Sequence, residues 1–211
     1  MCSIVGSFSK DKIIELCELN AYRGTVSHSI SYYDVVNNRF TFISRGRGPL
    51  NYEDIMIPDK NHYCLVHMQA PTTDSTNIHP ASIGRQYLWH NGIIKATEVE
   101  RLRNELNDNS TWDTELLLRH MRMKNTPEGV DGSFSCVYYD EYRLYLFRNE
   151  ISPMFIDDDF NISSTKFKGS KSTQSNVMLL FEPALKSLHP VVYFNTVTNP
   201  YYFALDDLDE E

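Results

Sequence analysis

The residues equipped for covalent chemistry start at the second position. Removal of an initiator Met that precedes a small residue leaves Cys2 first, with thiol and α-amine on adjacent atoms of one residue. An α-amine of ordinary pKa, about 7.7–8.0, acts near neutral pH as general base for such a thiol, directly or through a water. Attack by that thiol on a carbonyl creates an oxyanion, which needs donors. His90-Asn91-Gly92 offers them compactly, as an Asn side-chain amide beside a Gly N–H. The same Asn-Gly pair is also a tight-turn former. Asp113-Thr-Glu115 stands at a helix start, where acids ordinarily offset the helix dipole.

The elements that must position these groups are legible from periodicity. Cys2 to Phe8 alternates like a strand, and Asp11 to Leu19 puts Ile13, Ile14, Leu16, Cys17 and Leu19 on one helical face. Further strands are predicted at Ser29 to Val36 and Arg39 to Ser44, joined by an Asn37-Asn38 turn. Others fall at His62 to Met68, Gln86 to His90, Phe134 to Tyr139, Arg143 to Arg148 and Val191 to Phe194. Two more helices are predicted: Thr97 to Leu106 with Thr97 as N-cap and Val99, Leu102 and Leu106 inward, and Thr111 or Trp112 to Met123 with Leu116, Leu117 and Met121 inward. Strands, helices, then strands again imply an α+β domain with mainly antiparallel sheets. Ser163 to Asn176 reads as an exposed Ser/Lys/Thr-rich loop, and Arg45 to Pro49 as a turn.

Composition excludes several classes. The chain has 211 residues, 41% hydrophobic, with 28 acidic and 20 basic side chains and a net charge of −8. At that length roughly 70% of the unfolded surface can be buried without disulfide or metal staples. Five of the acids lie in Asp206 to Glu211; without them the ratio is 23 to 20, lacking the basic excess of a nucleic-acid binder. No apolar run reaches the roughly 18 residues that span a bilayer, and no signal peptide follows Met1, so a cytoplasmic location is expected with neither membrane nor nucleic-acid partner. Cys17, Cys64 and Cys136 sit in apolar segments and read as packed small hydrophobes, as in a reducing compartment. The seven His residues are dispersed, without metal-ligand spacing.

Taken together the motifs resemble the class II glutamine amidotransferase domain, an N-terminal nucleophile hydrolase found in glucosamine-6-phosphate synthase, asparagine synthetase and amidophosphoribosyltransferase. The start reads Met1-Cys-Ser-Ile-Val-Gly6, followed by Tyr22-Arg-Gly24, His67-Met-Gln-Ala-Pro-Thr72 and His79-Pro80. His90-Asn-Gly92 and Asp113-Thr-Glu115 are intact, and Gly132 to Asp140, Leu144 to Arg148 and Ser152-Pro-Met154 follow in order, over about residues 1–165. The resemblance implies a four-layer αββα sandwich of two mainly antiparallel sheets flanked by helices, with residues 1–205 as the domain and 206–211 as an acidic tail.

It also implies a glutaminase half-reaction without cofactor or metal. Cys2 is the nucleophile and Asn91 and Gly92 hold the oxyanion, while Asp113 pairs with the substrate ammonium, Thr72 bonds in the pocket and Arg23 lies near the nucleophile strand. The implied partners are glutamine and a separate synthase or other ammonia-accepting enzyme, because the sequence continues only briefly past the glutaminase-like portion. Ser3 and Gln69 depart from the pattern. Gln69 falls where the family places the Arg that clamps the glutamine α-carboxylate, and a neutral amide forgoes a charge-assisted bidentate pair worth about 1–3 kcal/mol. Three substitutes follow: Arg45 or Arg85 supplies the cation, the substrate is another γ-glutamyl or amide compound, or the chain is an inactive regulatory or binding subunit.

Overall fold

A computed structural model describes residues 2–70 and 76–197. In chain order it contains β1 (Ser3–Ser7), α1 (Lys10–Asn20), β2 (Ser27–Asp34), β3 (Arg39–Arg47), β4 (His62–Gln69), β5 (Ala81–Ile83), β6 (Gln86–Ile94), α2 (Ala96–Leu106) and α3 (Asp113–Lys124). There follow β7 (Gly132–Tyr139), β8 (Leu144–Arg148), β9 (Phe155–Ile156), β10 (Ile162–Ser163), β11 (Lys171–Ser172), β12 (Val177–Glu182) and β13 (Ser187–Tyr193). One sheet runs β11-β9-β10-β1-β4-β2-β3 and the other β13-β12-β8-β7-β6-β5. All their pairings are antiparallel.

Alternation along the strands builds the layers. On β4, Tyr63 and Leu65 face the second sheet and pack with Ile4, Trp89, Val137 and Phe181. The intervening Cys64, Val66 and Met68 face outward onto Ile13, Leu16 and Cys17 of α1. Leu102 of α2 and Leu116, Leu117 and Met121 of α3 cover the outer face of the second sheet over Phe134, Cys136 and Phe147. Helix, sheet, sheet and helices are the four layers expected. Cys17, Cys64 and Cys136 are free and fully buried, as the sequence implies.

Three sequence expectations need correction, and one strand goes unpredicted. The α2 helix begins at Ala96 with Lys95 as N-cap and no side-chain cap; Thr97 sits exposed inside the first turn. Arg45 to Arg47 continue β3 rather than turning. Ser163 to Asn176 is not a simple exposed loop, because Ser163, Ser164 and Thr173 are buried and β11 crosses it. The strand β12 escapes the periodicity reading because Val177 to Phe181 is apolar at every position: it lies between β8 and β13 and is covered on both faces, so alternation is lost. Among the described residues no helix is long and apolar enough to cross a membrane.

Gly24 shows how tightly the chain is closed at the Cys2 end of β1. A Cβ there would lie 2.5 Å from the Gln69 carbonyl carbon and 2.8 Å from the Ala70 nitrogen, while Val26 N–H donates to Gln69 O at 3.0 Å. Gly24→Ala is therefore expected to lower stability by about 1–3 kcal/mol through overpacking against backbone, read as a reduced urea midpoint.

Candidate active site

Cys2 lies at the open end of β1, where its neighbour Ser3 pairs with Met68. Its side chain is 7% exposed and donates to Ala70 O at 3.6 Å, and its carbonyl accepts from Arg23 Nε at 3.0 Å. The short helical turn Ala21–Arg23, stacked on the end of α1, carries that guanidinium inward until it is itself buried. Burial pushes the Cys2 thiol above its ordinary value; the charge of Asp113 acts in the same direction and that of Arg23 against it. The resting side chain is a thiol, and its reactivity depends on a base.

Asn91 and Gly92 lie within β6, not in a turn, opposite Ser135 and Phe134 of β7. Gly92 has φ +155°, and a Cβ on it would come within 1.9 Å of Ser133 O, so no side chain fits. Asn91 Nδ2 donates to Ser164 Oγ at 3.3 Å. That hydroxyl also accepts from Ile4 N–H at 2.9 Å, which ties Asn91 to the strand carrying Cys2. An amide nitrogen has two protons, so Asn91 keeps one for a further acceptor.

Asp113 opens α3 and is almost fully buried. Its Oδ2 accepts from Ile94 N–H at 3.2 Å and its Oδ1 from Thr114 N–H at 2.7 Å, which fixes the carboxylate against the end of β6. Gln69 does not face open space. Its Oε1 accepts from Ser27 Oγ–H at 3.1 Å and lies 3.1 Å from His79 Nδ1, and its Nε2 donates to Asn77 O at 2.9 Å. Burial pushes the His67 imidazole down to about 3 and drives His79, stacked on it at 4.0 Å, well below the usual range. Both rings are neutral near neutral pH.

Comparison with solved structures then decides the architecture. The chain is similar to glutamine phosphoribosylpyrophosphate amidotransferase from B. subtilis in complex with ADP and GMP, at 14% identity and TM-score 0.58, covering 85% of this chain and 47% of that one. It is also similar to the allosteric regulatory enzyme of purine biosynthesis, at 15% identity and TM-score 0.62, covering 90% of this chain and 48% of that one. The fold is that of the N-terminal nucleophile hydrolases. The chain spans about half the length of these two structures. No protein-family model and no curated protein matches the sequence.

Within this fold Cys2, Arg23, Gln69, Asn91, Gly92 and Asp113 gather at one end of the sandwich, while Thr72 lies outside the described residues. Neither alternative cation stands ready beside Gln69. Arg45 donates to the carbonyls of Ile78 and Pro80, and Arg85 lines a cleft of about 880 Å³ at the opposite end, beside the β2–β3 turn. That cleft shares no residue with the Cys2 site, and nothing in it resembles a nucleophile with its base. Sequence reasoning missed Ser164, Thr114 and Ser27 as supports. Ser164 sits in a stretch whose composition suggests a loop, and nothing local marks it as Asn91's partner. Gln69→Leu removes three internal partners from a buried cluster and is expected to lower stability by about 2–4 kcal/mol in urea unfolding.

Proposed function

We propose that the chain is a Cys2-dependent amidase that releases ammonia from the side-chain carboxamide of glutamine, as a glutaminase unit of amidotransferase type over residues 1–205, with 206–211 as a tail. The observation that supports this reading is the Ile4–Ser164–Asn91 linkage, through which an amide donor of β6 is tied, in a buried setting, to the strand that follows Cys2.

The α-amine of Cys2 takes the thiol proton, and the sulfur attacks the carboxamide carbon. Asn91 Nδ2 and Gly92 N–H donate to the resulting oxyanion. The ammonium of Cys2 returns its proton to the leaving nitrogen; the C–N bond breaks, ammonia departs and a γ-glutamyl thioester remains. Water, deprotonated by the same amine, attacks the thioester, and glutamate leaves as the thiol is restored. Because burial raises the thiol, the proton moves to the amine during attack rather than before it. Asp113 pairs with the substrate ammonium, Thr72 bonds in the pocket and Arg23 steadies the nucleophile through its carbonyl. The ammonia passes to a separate acceptor enzyme.

The internal saturation of Gln69 favours a second reading, in which the substrate has no free α-carboxylate. Turnover of glutamine against glutamine α-amide separates the two, and preference for free glutamine removes the second.

Cys2→Ala, or an uncleaved residue ahead of Cys2, is expected to abolish ammonia release, with the terminus verified by mass spectrometry. Asn91→Ala is expected to lower kcat about 10²- to 10³-fold with a smaller change in KM. Undiminished turnover with a blocked terminus would sink the mechanism.

A further inference from the structure

Four hydrogen-bonding contacts run in line beside Asp113. Ser133 O lies 3.3 Å from His90 Nε2, and His90 Nδ1 lies 3.2 Å from Thr114 Oγ1. Thr114 Oγ1 in turn lies 3.1 Å from His79 Nε2, and His79 Nδ1 lies 3.1 Å from Gln69 Oε1. Both ends of the line only accept. Ser133 contributes a backbone carbonyl, and the Gln69 amide is oriented with its oxygen toward His79 because its nitrogen faces Asn77 O. Each contact needs one proton, but two neutral imidazoles and one hydroxyl carry only three. With three, one contact sets two lone pairs face to face among side chains that are 1–4% exposed.

We propose that the line holds a fourth proton, with His90 as an imidazolium that donates from both ring nitrogens and fixes the oxyanion-donor strand relative to Asp113. The directions then close. His90 donates to Ser133 O and to Thr114 Oγ1, the Thr114 hydroxyl donates to His79 Nε2, and His79 Nδ1–H donates to Gln69 Oε1. The Thr114 hydroxyl also lies 3.2 Å from Asp113 Oδ1, which can accept a second proton donor beside Thr114 N–H; spending its one proton there would leave the line two protons short instead of one, so donation to His79 is the arrangement that needs a single added charge.

The surroundings place the charge on His90 rather than His79. His79 is buried and feels Arg45 from β3, both unfavourable to a cation on its own ring. Around His90 stand His67 of β4, whose Nε2 bonds the His90 carbonyl, His79, Cys136 directly opposite on β7, and Asp113 on α3. Asp113 is the only carboxylate in that set. His90 is thus a positioning residue. Through Ser133 O it holds the carbonyl that packs against Gly92, and through Thr114 it holds the residue next to Asp113. The proton count follows from geometry alone; its bearing on turnover rests on the amidase reading.

The test is nitrogen-15 NMR of the histidine rings in the full chain near neutral pH. The His90 ring, assigned apart from the other six and in particular from the partly exposed His62, which faces Asp59 at 2.8 Å, is expected to show both ring nitrogens protonated. Thr114→Val keeps the shape but removes the bridging oxygen and is expected to return that ring to a neutral form; Thr114→Ser is expected to retain it. In ammonia release, kcat should fall about tenfold in Thr114→Val, the worth of one buried hydrogen bond, and recover in Thr114→Ser. A neutral His90 ring in the wild type, or a His90 ring that stays doubly protonated in Thr114→Val, overturns the proposal. The wild-type spectrum decides it alone should Thr114→Val fail to fold. A wild type that releases no ammonia overturns the amidase reading and leaves the ring protonation seen by NMR unaffected.

Discussion

Strand phase is the constraint on which the site depends. Tyr63, Leu65, His67 and Gln69 of β4 share one face, as do Tyr87, Trp89 and Asn91 of β6, because side chains alternate with period two. Each strand therefore carries apolar core at one end and polar chemistry at the other, within the same layer between the sheets. A slip of one residue would turn both to the wrong face, so the residues that hold the sheets together also set the register of the site. Phe40 and Tyr87, each in ring contact with the other and with Trp89 and Tyr139, lock that phase from the far end.

Burial gives the site its electrical character. Asp113 and Arg23 are charged groups held near a thiol that water scarcely reaches, and their effects on it oppose each other. In such surroundings few solvent dipoles compensate a misplaced charge, and each donor and acceptor must find a fixed partner. Gln69 illustrates the outcome. Its amide completes a buried network in three directions, whereas a guanidinium at that place would have no acceptor role to offer His79 or Ser27.

The layers and most of the candidate site are legible in the sequence, since Cys2, Asn91-Gly92 and Asp113 are marked by type and by position in short motifs. The strands with one wet face, such as β3, and the helices with one apolar stripe are readable from periodicity. β12 is not, because a strand covered on both faces carries no alternation. The α2 start departs from expectation because Thr is a good cap in principle, yet the chain leaving β6 is already anchored by Asp113 to Ile94 N–H, which sets where the helix begins. The supports Ser164 and Thr114 depend on partners far away in the chain, and spacing alone cannot reveal them.

The β3 strand ends its sheet, and its arginines have a bearing on colloidal behaviour. Arg45 and Arg47 reach from this edge to the carbonyls of Ile78, Pro80 and Thr76 on the segment leading to β5. A foreign strand aligning beside β3 would have to take these guanidinium groups further from water without offering the carbonyls they already hold. Charged side chains on a sheet edge are a common defence against edge-to-edge association. The cations that dock the His79 segment thereby also discourage the protein from templating its own aggregation.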